Sequence, residues 1–120
     1  MTQENKELLM RDLSSRIPYG VIVNVNGLFD AKLTSVSWYG EVSVEDSVGL
    51  YPILEVKPYL FPLLSMTEEQ EKEYNDLNCY ELGCFPHIEE ALDYLIKNHF
   101  DYRGLIEEGL ALDATGLNIY

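Results

Sequence analysis

Basic residues are scarce in this chain of 120 residues: eight lysines and arginines stand against 21 aspartates and glutamates, a net charge of −13. Nucleic-acid affinity rests on lysine and arginine displacing counterions from phosphates, so direct binding to DNA or RNA is not expected. An anionic membrane surface would repel the chain as well. No apolar run approaches the roughly 18 residues a membrane span requires. The opening MTQENKELLMRDL mixes acids with bases and lacks an unbroken apolar stretch, so neither a signal nor a transit peptide is expected. A cytoplasmic protein follows as an expectation, and Cys79 and Cys84, the two cysteines, are then expected as thiols.

Motifs for catalysis are equally thin. No P-loop, no G-x-G-x-x-G and no G-x-S-x-G occurs, which removes the usual phosphate cradles and the serine nucleophile elbow. Cys79, Cys84, His87 and His99 read as C-x4-C-x2-H-x11-H. Zinc fingers pair their ligands at short spacing at both ends, and the last interval here spans a helix and a turn. No metal and no cofactor are therefore expected. Cys84 lies three residues before His87, close enough to touch across a helix start, but nothing in the sequence activates the thiol. Among 21 acids, no pair is singled out for acid and base work. A noncatalytic protein is the expectation.

What the chain does hold is a core. Nearly half its residues are apolar and nine are tyrosines, which speaks against disorder and for one domain over residues 1–120. Leu9, Leu13 and Ile17 recur every fourth residue and predict an amphipathic helix, with Lys6, Glu7, Arg11 and Asp12 on its outer surface and Pro18 at its end. In YGVIVNVNG the period changes to two, and Asn26-Gly27 predicts a tight hairpin. Strands are expected over residues 19–25, 28–38 and 41–45, followed by an edge strand in LYPILEV, where Pro52 cannot serve a central ladder. KPYLFPLLS carries two prolines four residues apart and should be extended. Ser65 and Glu68 make a capping box for the helix TEEQEKEYNDLN. A second helix, PHIEEALDYLIKN, carries Pro86 at its start and puts Ile88, Ala91, Leu92, Leu95 and Ile96 toward the core. The order predicts an α+β fold: an N-terminal helix, a small antiparallel sheet or SH3-like barrel of about four strands, then two helices and a C-terminal clasp.

Two surfaces qualify for binding. From Thr67 to Leu95 nine acids face Lys72 alone, which concentrates eight of the thirteen net negative charges. Glu68, Glu69, Glu71 and Glu73 open this run. Such a surface imitates the phosphates of DNA, as an inhibitor of a nucleic-acid-binding enzyme would, or is a solvated face that keeps a small protein in solution. Trp38, Tyr39, Tyr51, Tyr59 and Phe61 form the second candidate, an aromatic β-face for peptide stacking and strand addition. An unidentified protein partner is expected for either.

KPYLFPLLSMTEEQ and HFDYRGLIEEGLALDA together resemble a family of short proteins of uncharacterised function encoded in the genomes and prophage-like regions of gut anaerobic bacteria. The likeness covers residues 57–69 and 99–114, and the Cys79 to Cys84 segment departs from the family arrangement. The resemblance implies a mobile-element setting and host-directed binding. Within the second motif, Asp101 and Arg103 are expected to form a fork-shaped ion pair above Tyr102, so that these three clasp the end of the chain to the core rather than bind a ligand.

Overall fold

The computed structural model describes residues 2–77 and 88–120. Thr2 caps helix α1 (Gln3–Arg16), its hydroxyl accepting from the Asn5 N–H at 3.1 Å. Pro18 then sits in a 3-10 turn, Ile17–Tyr19, and Gly20 closes that turn in the left-handed conformation at φ 70°. This turn displaces the start of the first strand from Tyr19 to Ile22.

Seven strands follow among the described residues: β1 (Ile22–Val25), β2 (Phe29–Val36), β3 (Glu41–Val44), β4 (Tyr51–Pro52), β5 (Val56–Pro62), β6 (Phe100–Asp101) and β7 (Leu112–Asp113). They lie in the order β4-β3-β2-β1-β5-β6, with β7 also paired to β5. Asn26 and Gly27 both take positive φ, 52° and 72°, as a type I′ connection between β1 and β2 requires. The fold is α+β. Its sheet exceeds the expected four strands and is mixed, because β6 and β7 run parallel to β5. No pairing among the described residues joins β4 to β6, so the strands form an open path rather than a closed barrel.

KPYLFP, expected to be extended, forms most of β5, flanked by β1 and by the two closing strands. Glu55 accepts the Asn26 N–H and Leu60 accepts the Ala114 N–H, so successive residues of β5 turn their hydrogen-bonding groups to opposite sides. Pro58 shares the side of Leu60, where β7 pairs only from Tyr59 onward. Its missing donor therefore falls where the sheet has no partner. LYPILEV, expected as one edge strand, is divided by a 3-10 turn at Ile53–Glu55 into the edge strand β4 and the beginning of β5.

Helix α2 (Glu68–Leu77) is capped by Thr67 rather than Ser65. Gln70 donates its N–H to the Thr67 hydroxyl at 3.1 Å, and the Gln70 side chain accepts the Thr67 N–H at 2.9 Å, a reciprocal box shifted two residues from the expected one. Ser65 lies too early to cap α2: it ends the 3-10 turn Leu63–Ser65, where its hydroxyl donates to the Pro62 carbonyl at 2.6 Å, and α2 begins only at Glu68. Helix α3 (Ile88–Lys97) buries Ala91, Leu95 and Ile96, whereas Leu92, expected inside, is 41% exposed. Pro86 and the Cys79 to Cys84 segment lie outside the described residues.

The core joins Leu9 and Leu13 of α1 to Val21, Val23, Val25, Leu33, Val42 and Val56 of the sheet, and is closed by Leu105, Leu110 and Ala111. Burial at this level is worth about 1.5–3 kcal/mol for each large aliphatic side chain. The turn carrying Leu105 thus helps seal the fold, as expected of a clasp.

Candidate functional site

The clasp has a different wiring from the one its sequence suggests. Leu9, Asp12, Leu13 and Arg16 occupy the i, i+3, i+4, i+7 positions of one face of α1, and all four are fully buried. Asp12, expected on the surface, is the hub. Its carboxylate accepts from Arg16 Nε at 2.9 Å, Arg16 Nη2 at 3.2 Å and Arg103 Nε at 3.2 Å. Arg16 also donates to the carbonyls of Phe100 at 2.7 Å and Ile96 at 3.4 Å, which ties α1 to the end of α3 and to β6. Arg103 therefore pairs with Asp12, not with Asp101.

Asp101 does another job. Its carboxylate accepts the N–H groups of Leu105 at 3.0 Å and Ile106 at 2.9 Å, fixing the turn that follows. Tyr102 lies against both guanidinium groups, with the Arg103 carbon 4.7 Å and the Arg16 carbon 5.8 Å from its ring centroid. Its hydroxyl is buried without a hydrogen-bond partner among the described residues.

A second knot joins His99 to Tyr120. The rings stack 3.8 Å apart and 12° from parallel. The Tyr120 hydroxyl accepts the Ile22 N–H at 2.9 Å and donates to the Tyr59 carbonyl at 2.8 Å, bridging β1 and β5. Burial first, and then the Arg16 charge, lowers the His99 pKa to about 4, and burial raises that of Tyr120 to about 12. His99 Nδ1 has no hydrogen-bond partner among the described residues. Cys79, Cys84 and His87, the other members of the zinc-like pattern, lie outside the described residues.

The expected aromatic face is dispersed. Tyr59 is buried, its hydroxyl donating to Asp30 at 2.7 Å. Phe61 is half-buried between Phe100 and Tyr120. Tyr51 packs edge-on against Phe29, and its hydroxyl shares a 2.6 Å hydrogen bond with Ser47. Only Trp38 and Tyr39 project, as an edge-to-face pair with centroids 5.6 Å apart in the β2–β3 turn. The terminal strands β4 and β6 have two residues each, too short to template an added strand.

The acids of α2 also divide. Glu73 accepts from the Tyr94 hydroxyl of α3 at 2.8 Å. The Tyr94 pKa rises to about 12, through burial first, then the Glu73 carboxylate and the more distant charge of Glu69. Glu68 is exposed in the first turn. Glu71 instead lines a depression of about 270 Å³ together with Leu63, Leu64, Met66, Tyr74 and Asn75.

Leu63 and Leu64 also line a second depression, of about 360 Å³, with Pro62, Tyr102, Ile106 and Glu107 among its walls. A leucine ridge thus separates two hollows. Leu64 is 100% exposed and Leu63 43%. The chain matches no family model, no curated protein and no solved structure. Its function must be argued from this geometry.

The sequence singles out Glu71 beside the ridge, but neither Glu107 nor the ridge itself. Leu63-Leu64 reads as part of an apolar stretch, and only the short turn between β5 and α2 brings it outward. Asp12 and Arg16 were also missed, although their spacing with Leu9 and Leu13 was a usable signal.

Proposed function

We propose that this chain is a noncatalytic protein-binding module of the cytoplasm, docking its partner on the Leu63–Leu64 ridge beside the acidic helix α2. The observation that carries the reading is Leu64. A fully exposed leucine on a structured turn, with a hollow on each flank, gives up apolar surface to water that a partner would cover. Trp38 and Tyr39 are a smaller, separate contact. The resemblance of the two motifs to short mobile-element proteins fits a host-directed partner.

The test is capture of bound proteins by the wild-type chain, by Leu64→Asp and by Trp38→Ser, eluted first with salt and then with DNA. One protein that is retained by wild type and Trp38→Ser and lost by Leu64→Asp supports ridge docking. Retention unchanged in Leu64→Asp refutes it. Release of a nucleic-acid-binding protein by DNA, with Leu64→Asp still binding, points instead to mimicry of DNA by the acids of α2.

A further inference from the structure

We infer that the ridge receives a cationic amphipathic helix, whose apolar face straddles Leu64 and whose lysines or arginines meet an acidic rim. The inference rests on the docking function proposed above and adds the chemistry of the partner. Three observations support it.

The first is shape. The ridge has a hollow on each side, walled by Pro62 and Ile106 on one flank and by Met66 and Tyr74 on the other. Two hollows about a ridge accept two rows of side chains, which a helix supplies at its i, i+3 and i+4 positions. The second is charge. Glu107 lines one hollow and Glu71 the other, and among the described residues no lysine or arginine lines either. Arg103, close by in sequence, is held by Asp12 and is unavailable to neutralise the rim. The third is the net charge of −13, which steers a basic segment toward the surface and opposes pairing with a second copy, since self-association would bring acidic rims together.

A direct test uses the full chain and three labelled 18-residue peptides followed by fluorescence anisotropy at physiological salt. One places leucines at helical i, i+3, i+4 and i+7 positions with lysines elsewhere. Another has glutamates in place of the lysines, and the third scrambles the first. The leucine-lysine peptide should bind at least tenfold more tightly than either control. Leu64→Asp, with circular dichroism confirming its fold, should weaken that binding about tenfold, as expected for a central contact residue. The variant adds negative charge, so unspecific attraction would grow stronger in it. Equal or tighter binding by Leu64→Asp, or equal binding of the scrambled peptide, overturns the inference. Equal binding of the lysine and glutamate peptides, both lost in Leu64→Asp, overturns the charge selection while leaving ridge docking standing.

Discussion

Asp12→Asn should be among the most damaging single changes in this protein. The substitution keeps the shape of the side chain and removes the one carboxylate facing two guanidinium groups. Arg16 is fully buried, and its remaining partners are the carbonyls of Phe100 and Ile96. Breaking a buried ion pair by removing one partner costs about 3–5 kcal/mol, because the other charge stays desolvated. A domain of this size is held by roughly 5–15 kcal/mol, so a large fraction of its stability is at stake. With a urea slope of about 1.5 kcal/mol per molar, even 3 kcal/mol lowers the midpoint by about 2 M. Far-UV circular dichroism is the appropriate signal, since Trp38, the single tryptophan, is 88% exposed in the folded state and reports little on unfolding. Arg103→Ala removes the 3.2 Å contact with Asp12 and the guanidinium packed on the Tyr102 ring, from a side chain 18% exposed, and leaves Asp12 paired with Arg16, so it should cost only about 1–2 kcal/mol. An Asp12→Asn midpoint within about 0.5 M of wild type, a shift of less than 1 kcal/mol at the same slope, would show that Asp12 is not the hub.

Three further outcomes are expected. His99 titrates near 4 when folded and near 6.5 when unfolded, so the unfolded chain binds more protons between those values and stability falls as pH drops through that window. The loss approaches about 3 kcal/mol by pH 4, and His99→Asn, which tolerates the positive φ of 62°, should flatten the urea midpoint between pH 6.5 and 5; an unchanged slope refutes the assignment. Tyr120→Phe leaves the Ile22 N–H and the Tyr59 carbonyl without their bridge, and should cost about 1–2 kcal/mol with faster amide exchange at Ile22. Exchange and stability both equal to wild type would show that water replaces the hydroxyl without cost. Thr67→Ala deletes the cap of α2 and should cost about 1 kcal/mol, whereas Ser65→Ala should leave α2 helicity intact; the reverse ranking would restore the capping box first read from the sequence.

Local signals in this sequence were legible wherever the deciding interaction was local. The Asn26-Gly27 turn forms as its dipeptide demands, because the left-handed conformation is set by those two residues. The capping box was legible as a type but not in place, since Ser65-x-x-Glu68 and Thr67-x-x-Gln70 overlap and the choice turned on the 3-10 turn Leu63–Ser65, which puts the start of α2 at Glu68. KPYLFP was legible as extended chain but not as an inner strand, and the strand accommodates Pro58 because its missing donor is aimed at an unpaired stretch of the sheet. That direction depends on β7, more than fifty residues later. Arg103 illustrates the same limit. Asp101 is its neighbour in sequence, yet its partner lies 91 residues away. The acids of the candidate site were visible as composition, while the leucine ridge depended on a turn whose position only the packed sheet decides.

Asp101, Tyr102 and Arg103, expected as a clasp rather than a ligand site, also shape the candidate docking surface. Asp101 fixes the backbone at Leu105 and Ile106, so that Leu105 enters the core while Ile106 borders the hollow. Arg103, held by Asp12, lies against the Tyr102 ring, and Tyr102 forms another wall of the same hollow. One flank of the leucine ridge is therefore built from the residues that fasten the chain to α1. Loosening the clasp moves that wall without altering any residue on the ridge. Arg103→Ala should accordingly weaken peptide docking by more than the loss of one remote positive charge explains; in electrostatic terms alone, that loss would strengthen the attraction of a cationic peptide. Tighter binding by Arg103→Ala would place the clasp and the docking surface in separate roles, whereas weaker binding with the fold retained would make the clasp a positioning element for the site.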